Sequence, residues 1–143
     1  GQFLCTRQAV PLIKANGGGC LLNMGSAASK HGYAFRTPYA AAKFGVIGLT
    51  ESLAKELGPY NIRVNAILPG IVEGPRMDNV IRTRAAETNT SFDDMEDEYM
   101  KKVSLGRMVS PDDVASSVGY LLSDFGKNIS GQSLAVDGNV ETL

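Results

Sequence analysis

Apolar residues recur along this chain in two rhythms, one at helical spacing and one nearly continuous, and their alternation predicts its elements. Phe3, Leu4, Ala9, Val10, Leu12 and Ile13 follow a helical pattern over residues 1–15, where Pro11 is expected to kink the helix or end its regular hydrogen bonding. Asn16-Gly17-Gly18-Gly19 then reads as a turn. A phosphate loop is excluded by order, since such a loop follows a strand and opens a helix, whereas this run follows a helix and opens a strand. The strand is Cys20-Leu21-Leu22-Asn23-Met24, and it stops at Gly25-Ser26. Thr37-Pro38 predicts the next helix start, with Thr37 as N-cap and Pro38 at the first helical position. This helix runs to about Leu57, with Phe44, Ile47, Leu53 and Leu57 marking one apolar side, and Gly58-Pro59 stops it. Ile62-Arg63-Val64-Asn65-Ala66-Ile67-Leu68 is a second strand, β-branched and largely apolar, as expected of a parallel strand covered on both faces.

Residues 73–106 form a long connection with helical pieces of its own. Ser91-Phe92-Asp93-Asp94 starts one of them, and its acidic run up to Glu98, followed by Lys101-Lys102, complements a helix dipole. Connections of this length are often lids, and Met77, Val80, Ile81, Met95, Tyr99 and Met100 are candidates for an apolar pocket lining. Ser110-Pro111-Asp112-Asp113 opens a further helix carrying Val114, Val118, Leu121 and Leu122, and Ser133–Asp137 is a third strand. Strand, helix and strand in this order predict a right-handed βαβ unit in an α/β fold, with no repeat or linker to divide the chain. Ligands of open α/β sheets bind at the carboxyl ends of the strands.

Three reactive side chains fall at such an end. Tyr39 and Lys43 are four apart in the first turns of their helix and share one face. Ser26, at the strand end, can face them across the loop. A free tyrosine, with a pKa of about 10, is a poor base at neutral pH, and a nearby ammonium favours the phenolate. A serine hydroxyl can orient a substrate oxygen and stabilise charge growing there. The trio therefore suits proton transfer to or from a carbonyl or alcohol oxygen. None of the three can accept a hydride, so redox chemistry would need a cofactor. A serine hydrolase fits poorly, because His31 is the sole histidine, five positions from Ser26 in a glycine-containing loop, and Ser26 lacks the flanking glycines of a nucleophile elbow.

Composition narrows the partners. Of 143 residues 43% are hydrophobic and the net charge is −1, which gives no electrostatic reason to expect nucleic acid or an anionic membrane. No apolar run approaches the ~20 residues of a spanning helix, and Gly1-Gln2-Phe3-Leu4 lacks the basic start of a secretory leader. Cys5 and Cys20 form no CxxC pair and there is no Cys/His cluster, so no metal is expected. Both read as small core residues of a protein in a reducing cytoplasm.

Asn23-Met24-Gly25-Ser26, followed thirteen positions after the serine by Tyr39-x-x-x-Lys43, resembles the catalytic stretch of the short-chain dehydrogenase/reductase family, and of its 3-oxoacyl-acyl-carrier-protein-reductase-like members. Asn65-Ala66-Ile67-Leu68-Pro69-Gly70-Ile71-Val72 and the Ser-Gly-Gln-x-Leu-x-Val-Asp-Gly string at 130–138 are similar to the same family. The resemblance implies NAD(P)-dependent interconversion of a carbonyl and a secondary alcohol, with Ser26, Tyr39 and Lys43 catalytic. Tyr39, Lys43, Pro69, Gly70 and Val72 would contact NAD or NADP, Gly70 letting the backbone approach the nicotinamide and Val72 offering backbone groups to its carboxamide. Where the family often has a threonine that contacts the cofactor, this chain has Gly74, which implies a locally different loop over Glu73–Arg76. The resemblance covers nearly all of 1–143 but only the back half of the family's pattern. The expectation is thus the C-terminal half of a doubly wound, parallel-sheet Rossmann-type domain with three αβα layers. The N-terminal cofactor-binding half and the family's catalytic asparagine would lie upstream, and without them a buried-type strand edge would be left unpaired. Family members are usually homotetramers, dimers of dimers, and the helices at 1–15 and 38–57 resemble those that pair across the dimer interface. The alternative is a non-catalytic dinucleotide-binding or scaffold protein on the same fold.

Overall fold

The computed structural model describes residues 1–141. Three parallel strands, β1 (Gly19–Met24), β2 (Ile62–Pro69) and β3 (Ser133–Val136), form one sheet in the order β1-β2-β3. The register pairs Gly19 with Ile62 through Met24 with Ile67, and Ala66 with Ser133 through Pro69 with Val136. Helix α1 (Gln2–Ala15) precedes β1, and α2 (Thr37–Leu57) crosses from β1 to β2. Helices α3 (Pro75–Thr88), α4 (Phe92–Met100) and α5 (Pro111–Leu122) lie between β2 and β3.

The alternation of β2 sorts the layers. Ile62 and Val64 pack with Leu57, Leu53 and Ala54 of α2 and with Val10 and Ile13 of α1, while Ala66 and Leu68 pack with Val46 and Ile47. The odd residues face the other way. Arg63 Nη1 donates to the Leu121 carbonyl of α5 at 2.7 Å, and Asn65 Nδ2 donates to the Ile129 carbonyl at 2.8 Å. Helices α1 and α2 thus cover one face and α5 the other, so an apolar run without period-two alternation is what the strand requires.

Several local expectations are corrected. Helix α1 continues through Pro11 to Ala15, because proline removes one hydrogen bond but its fixed φ still suits the helix. The N-cap of α2 is Arg36, without a side-chain cap, so Thr37 and Pro38 each sit one position further in than expected. Phe44 points outward rather than into the apolar side, which Val46 and the fully buried Thr50 complete instead. Cys5 is exposed on α1 and not a core residue. Cys20 is half-buried, and that burial pushes its thiol up against the lowering influence of Arg63. The caps of α4 and α5 are as expected: Ser91 Oγ accepts from Asp94 N at 3.1 Å, and Ser110 forms a reciprocal box with Asp113 at 3.0 and 2.9 Å.

The connection from β2 to α5 is a closed excursion. At its base Glu73 N donates to Val109 O at 3.0 Å and Val109 N to Ile71 O at 2.9 Å. Helices α3 and α4 pack on each other through Ile81, Ala85 and Met95, with Met77, Phe92, Tyr99 and Met108 around them. The chain returns along residues 102–105, bonded to 138–141 by pairs such as Glu141 N to Lys102 O at 2.9 Å.

Candidate active site

The carboxyl ends of β1 and β2 open into a cleft of about 530 Å³. Ser26, Tyr39, Lys43, Pro69, Gly70 and Val72 all line it, whereas His31, in the loop that precedes α2, does not. Across from the strand ends the cleft is bounded by the excursion. Met77, Val80 and Tyr99 face into it, while Ile81 and Met95 are spent on the packing of α3 against α4, and Met100 is not among the lining residues.

Each reactive side chain has a structural reason for its place. Ser26 caps a short 3-10 turn over Ala27–Ser29: its Oγ accepts from Ala28 N at 3.2 Å, and Ser26 N donates to Ser29 Oγ at 3.1 Å. The cap occupies an acceptor site on Oγ and leaves its O–H free to donate. Lys43 Nζ donates to the carbonyls of Met24 and Gly25 at 3.1 and 3.0 Å, so the ammonium is fastened to the end of β1. It lies 5.8 Å from the centroid of the Tyr39 ring. Gln2 Nε2 shares the Met24 carbonyl at 2.9 Å, tying in the start of α1.

A buried polar pair behind the cleft fixes the two elements that carry these groups. Asn23 Nδ2 donates to Thr50 Oγ1 at 2.9 Å, joining the last turn of β1 to the middle of α2. Sequence reasoning missed this tie, although its signals were present: an asparagine inside the apolar run Leu21–Met24, and a threonine in helical phase with Val46, Leu53 and Leu57.

Two glycines mark the cleft floor. A Cβ at Gly70 would lie 2.6 Å from Asp137 Cβ, so the close approach of the β2 and β3 ends requires glycine there. Gly74 adopts φ +129° as it turns the chain into α3, a backbone conformation that a threonine rarely takes. Between them, Val72 pairs with Val109 through the groups of its two neighbours, Ile71 O and Glu73 N. Its own N–H and C=O have no hydrogen-bond partner among the described residues.

The family model described as enoyl-(acyl carrier protein) reductase matches residues 1–140. A 3-oxoacyl-(acyl-carrier-protein) reductase of Thermotoga maritima is 36% identical over 140 residues, covering 98% of this chain and 52% of that protein. The chain belongs to the short-chain dehydrogenase/reductase family. Solved members of that family share its fold. An actinorhodin polyketide ketoreductase with NADPH is 33% identical at TM-score 0.82, over 90% of this chain and 49% of the other. A 7α-hydroxysteroid dehydrogenase complexed with NADH and 7-oxo glycochenodeoxycholic acid is 28% identical at TM-score 0.86, over 99% and 52%. The sheet and its helices are therefore part of a Rossmann-type domain. The chain spans about half the length of the curated relatives it matches. Among the described residues no helix is long and apolar enough to cross a membrane, and no group of three or more His, Cys, Asp or Glu side chains is placed to hold a metal.

Proposed function

We propose that this chain is the catalytic and substrate-binding half of a cytoplasmic oxidoreductase that interconverts a carbonyl and a secondary alcohol with NAD or NADP. The observation that carries the reading is the gathering of Ser26, Tyr39 and Lys43 on one cleft, with Lys43 fixed at 5.8 Å from the Tyr39 ring. The residues fit the nicotinamide end of the cofactor. The free N–H and C=O of Val72 match the acceptor and donor of a carboxamide, and Lys43 retains a third donor for the adjoining ribose. When bound, the cofactor supplies or accepts the hydride.

The chain's own residues manage the oxygen. In the reducing direction the Tyr39 hydroxyl gives its proton to the substrate oxygen. The Ser26 O–H donates a hydrogen bond to the same oxygen and steadies the charge that grows on it. The Lys43 ammonium, held by two backbone carbonyls, favours the negative charge left on the tyrosine oxygen. In the oxidising direction each role reverses. The pyrophosphate grip falls to a cofactor-binding half joined to this one along the free edge of β1. Phe3, Leu4, Leu12 and Phe44, exposed on α1 and α2, support assembly as a homo-oligomer, a dimer of dimers, through those helices.

Tyr39→Phe in the full-length protein is the test. Loss of the general acid is expected to cut kcat by about 10²–10⁴-fold or more while dinucleotide affinity survives. Turnover of mixed ketones at the parent rate would sink the assignment. Dinucleotide binding with no turnover by the parent would favour a sensing or scaffold role.

A further inference from the structure

We infer that the cleft selects a substrate that carries a fixed negative charge, such as a carboxylate or phosphate, at the end remote from its carbonyl or alcohol, and that Arg36, Arg76 and Lys102 hold that charge. The inference rests on the reaction proposed above for the same cleft. Four of the lining side chains are cations, Arg36, Lys43, Arg76 and Lys102, against the single carboxylate of Glu73, although the chain as a whole is at −1. Lys43 is committed to the carbonyls of Met24 and Gly25. The other three have no ion pair and no side-chain hydrogen bond among the described residues, where the salt bridges are Arg84–Glu87 and Lys101–Glu98 on exposed helix faces.

Two of the three occupy positions that local electrostatics disfavours. Arg36 is the N-cap of α2, and Arg76 follows Pro75 in the first turn of α3. Both helix ends already carry partial positive charge, which an arginine does not complement, although Asp78 in the first turn of α3 offsets part of it. All three cations line the one cleft. Tyr33 and Arg36 of the loop before α2 line it together with Tyr99 of α4 and Lys102 just past the end of that helix. Arg36 lies 5.4 Å from the Tyr33 ring and Lys102 lies 5.2 Å from the Tyr99 ring. Lys102 is also anchored through its carbonyl to Glu141 N. Met77, Val80 and Ile71 line the same cleft as these cations and Tyr39, so a ligand with an apolar body and a charged tail fits it.

The test is binding by the full-length protein of saturated carboxylic acids and their methyl esters, in matched pairs of increasing chain length, with and without NADP. These probes carry or lack the charge and have no reducible carbonyl. The best acid is expected to bind at least about tenfold more tightly than its ester. That ratio should fall to about one in Arg36→Gln/Arg76→Gln/Lys102→Gln and return in Arg36→Lys/Arg76→Lys/Lys102→Arg, which keeps the charges. Equal affinity for acid and ester in the parent overturns the inference. So does a ratio unchanged in the charge-removed variant, or a variant that loses affinity for NADP alone, which would assign the cations to the cofactor phosphates. Because the readout needs no turnover, a protein that binds acids in this pattern but reduces no ketone keeps the anion site and removes the oxidoreductase reading, and the opposite result does the reverse.

Discussion

Strand β2 and the α3–α4 excursion enclose the same cleft and are built on opposite terms. Val64, Asn65, Ala66, Ile67 and Leu68 are all 0% exposed, whereas α3 buries two of its 14 residues and α4 one of its nine. The polar members of β2 are tied to the chain around them: Arg63 donates to Leu121 O, and Asn65 donates to Ile129 O and accepts from Gln132 N. The excursion holds together through a small cluster of its own and meets the sheet side through its pinned base at Ile71–Glu73 and Val109. Of the side chains proposed to move the proton, Lys43 is fastened to the end of β1, the strand paired with β2, and two of those proposed to read the substrate's tail, Arg76 and Lys102, belong to the excursion. The excursion therefore has less buried contact to lose on opening locally than β2 has.

The largest expected effect sharpens that contrast with one pair of substitutions. Ile67→Ala and Ile81→Ala each remove the same atoms from a site that is 0% exposed, and each is expected to cost about 2–5 kcal/mol. In the full-length protein, Ile67→Ala should lower the global melting temperature. Ile81→Ala should instead speed amide exchange across residues 75–100 while leaving β2 amides protected. Equal loss of protection in both regions would mean the excursion and the sheet unfold as one unit, and the contrast would fail.

Thr50→Val comes next. It keeps the shape of the side chain and leaves Asn23 Nδ2 buried without its partner, at an expected cost of about 1–3 kcal/mol. Since the pair joins β1 to α2, kcat should fall more than the substrate KM rises. A variant with parent kinetics and a lowered melting point would reduce Asn23–Thr50 to a structural tie.

The same two regions were unequally legible in the sequence. The strands stood out as apolar runs, and Ser91 and Ser110 announced their helices, because capping is a local matter of a hydroxyl and the backbone three residues on. The Ser26, Tyr39 and Lys43 set was found from spacing, since the strand end and the first turns of α2 fix where those side chains go. What escaped depends on packing between distant segments. Cys5 and Phe44 face outward for reasons that no window of the chain contains. Gly70 is required by Asp137, just past the end of β3, and Val109 returns from a distant part of the chain to bond Ile71 and Glu73 on either side of Val72. The convergence of Arg36 and Lys102 required knowing how the excursion folds back. The hint that was present, and passed over, is a cation at the start of α2 and another at the start of α3, where dipoles argue against them.

The smallest effect tests the joint between the two regions. Helix α5 begins where the excursion rejoins the scaffold, and its start is set by the Ser110–Asp113 box. Hydrogen bonds from the Ser110 backbone and hydroxyl hold the Asp113 carboxyl below its ordinary value. A lowered folded value means that the ionised form is favoured by folding. The stabilisation is therefore present above the ordinary carboxyl value of about 3.9 and lost as the pH falls through the lower folded one. Asp113→Asn keeps a neutral acceptor for Ser110 N and removes the charge. Parent and variant should differ slightly in melting temperature near neutral pH, and the difference should close under acid. A gap that persists at the lowest pH at which the protein still folds would show that the cap acts through shape alone, and that the joint is held by the Ile71–Val109–Glu73 pairing instead.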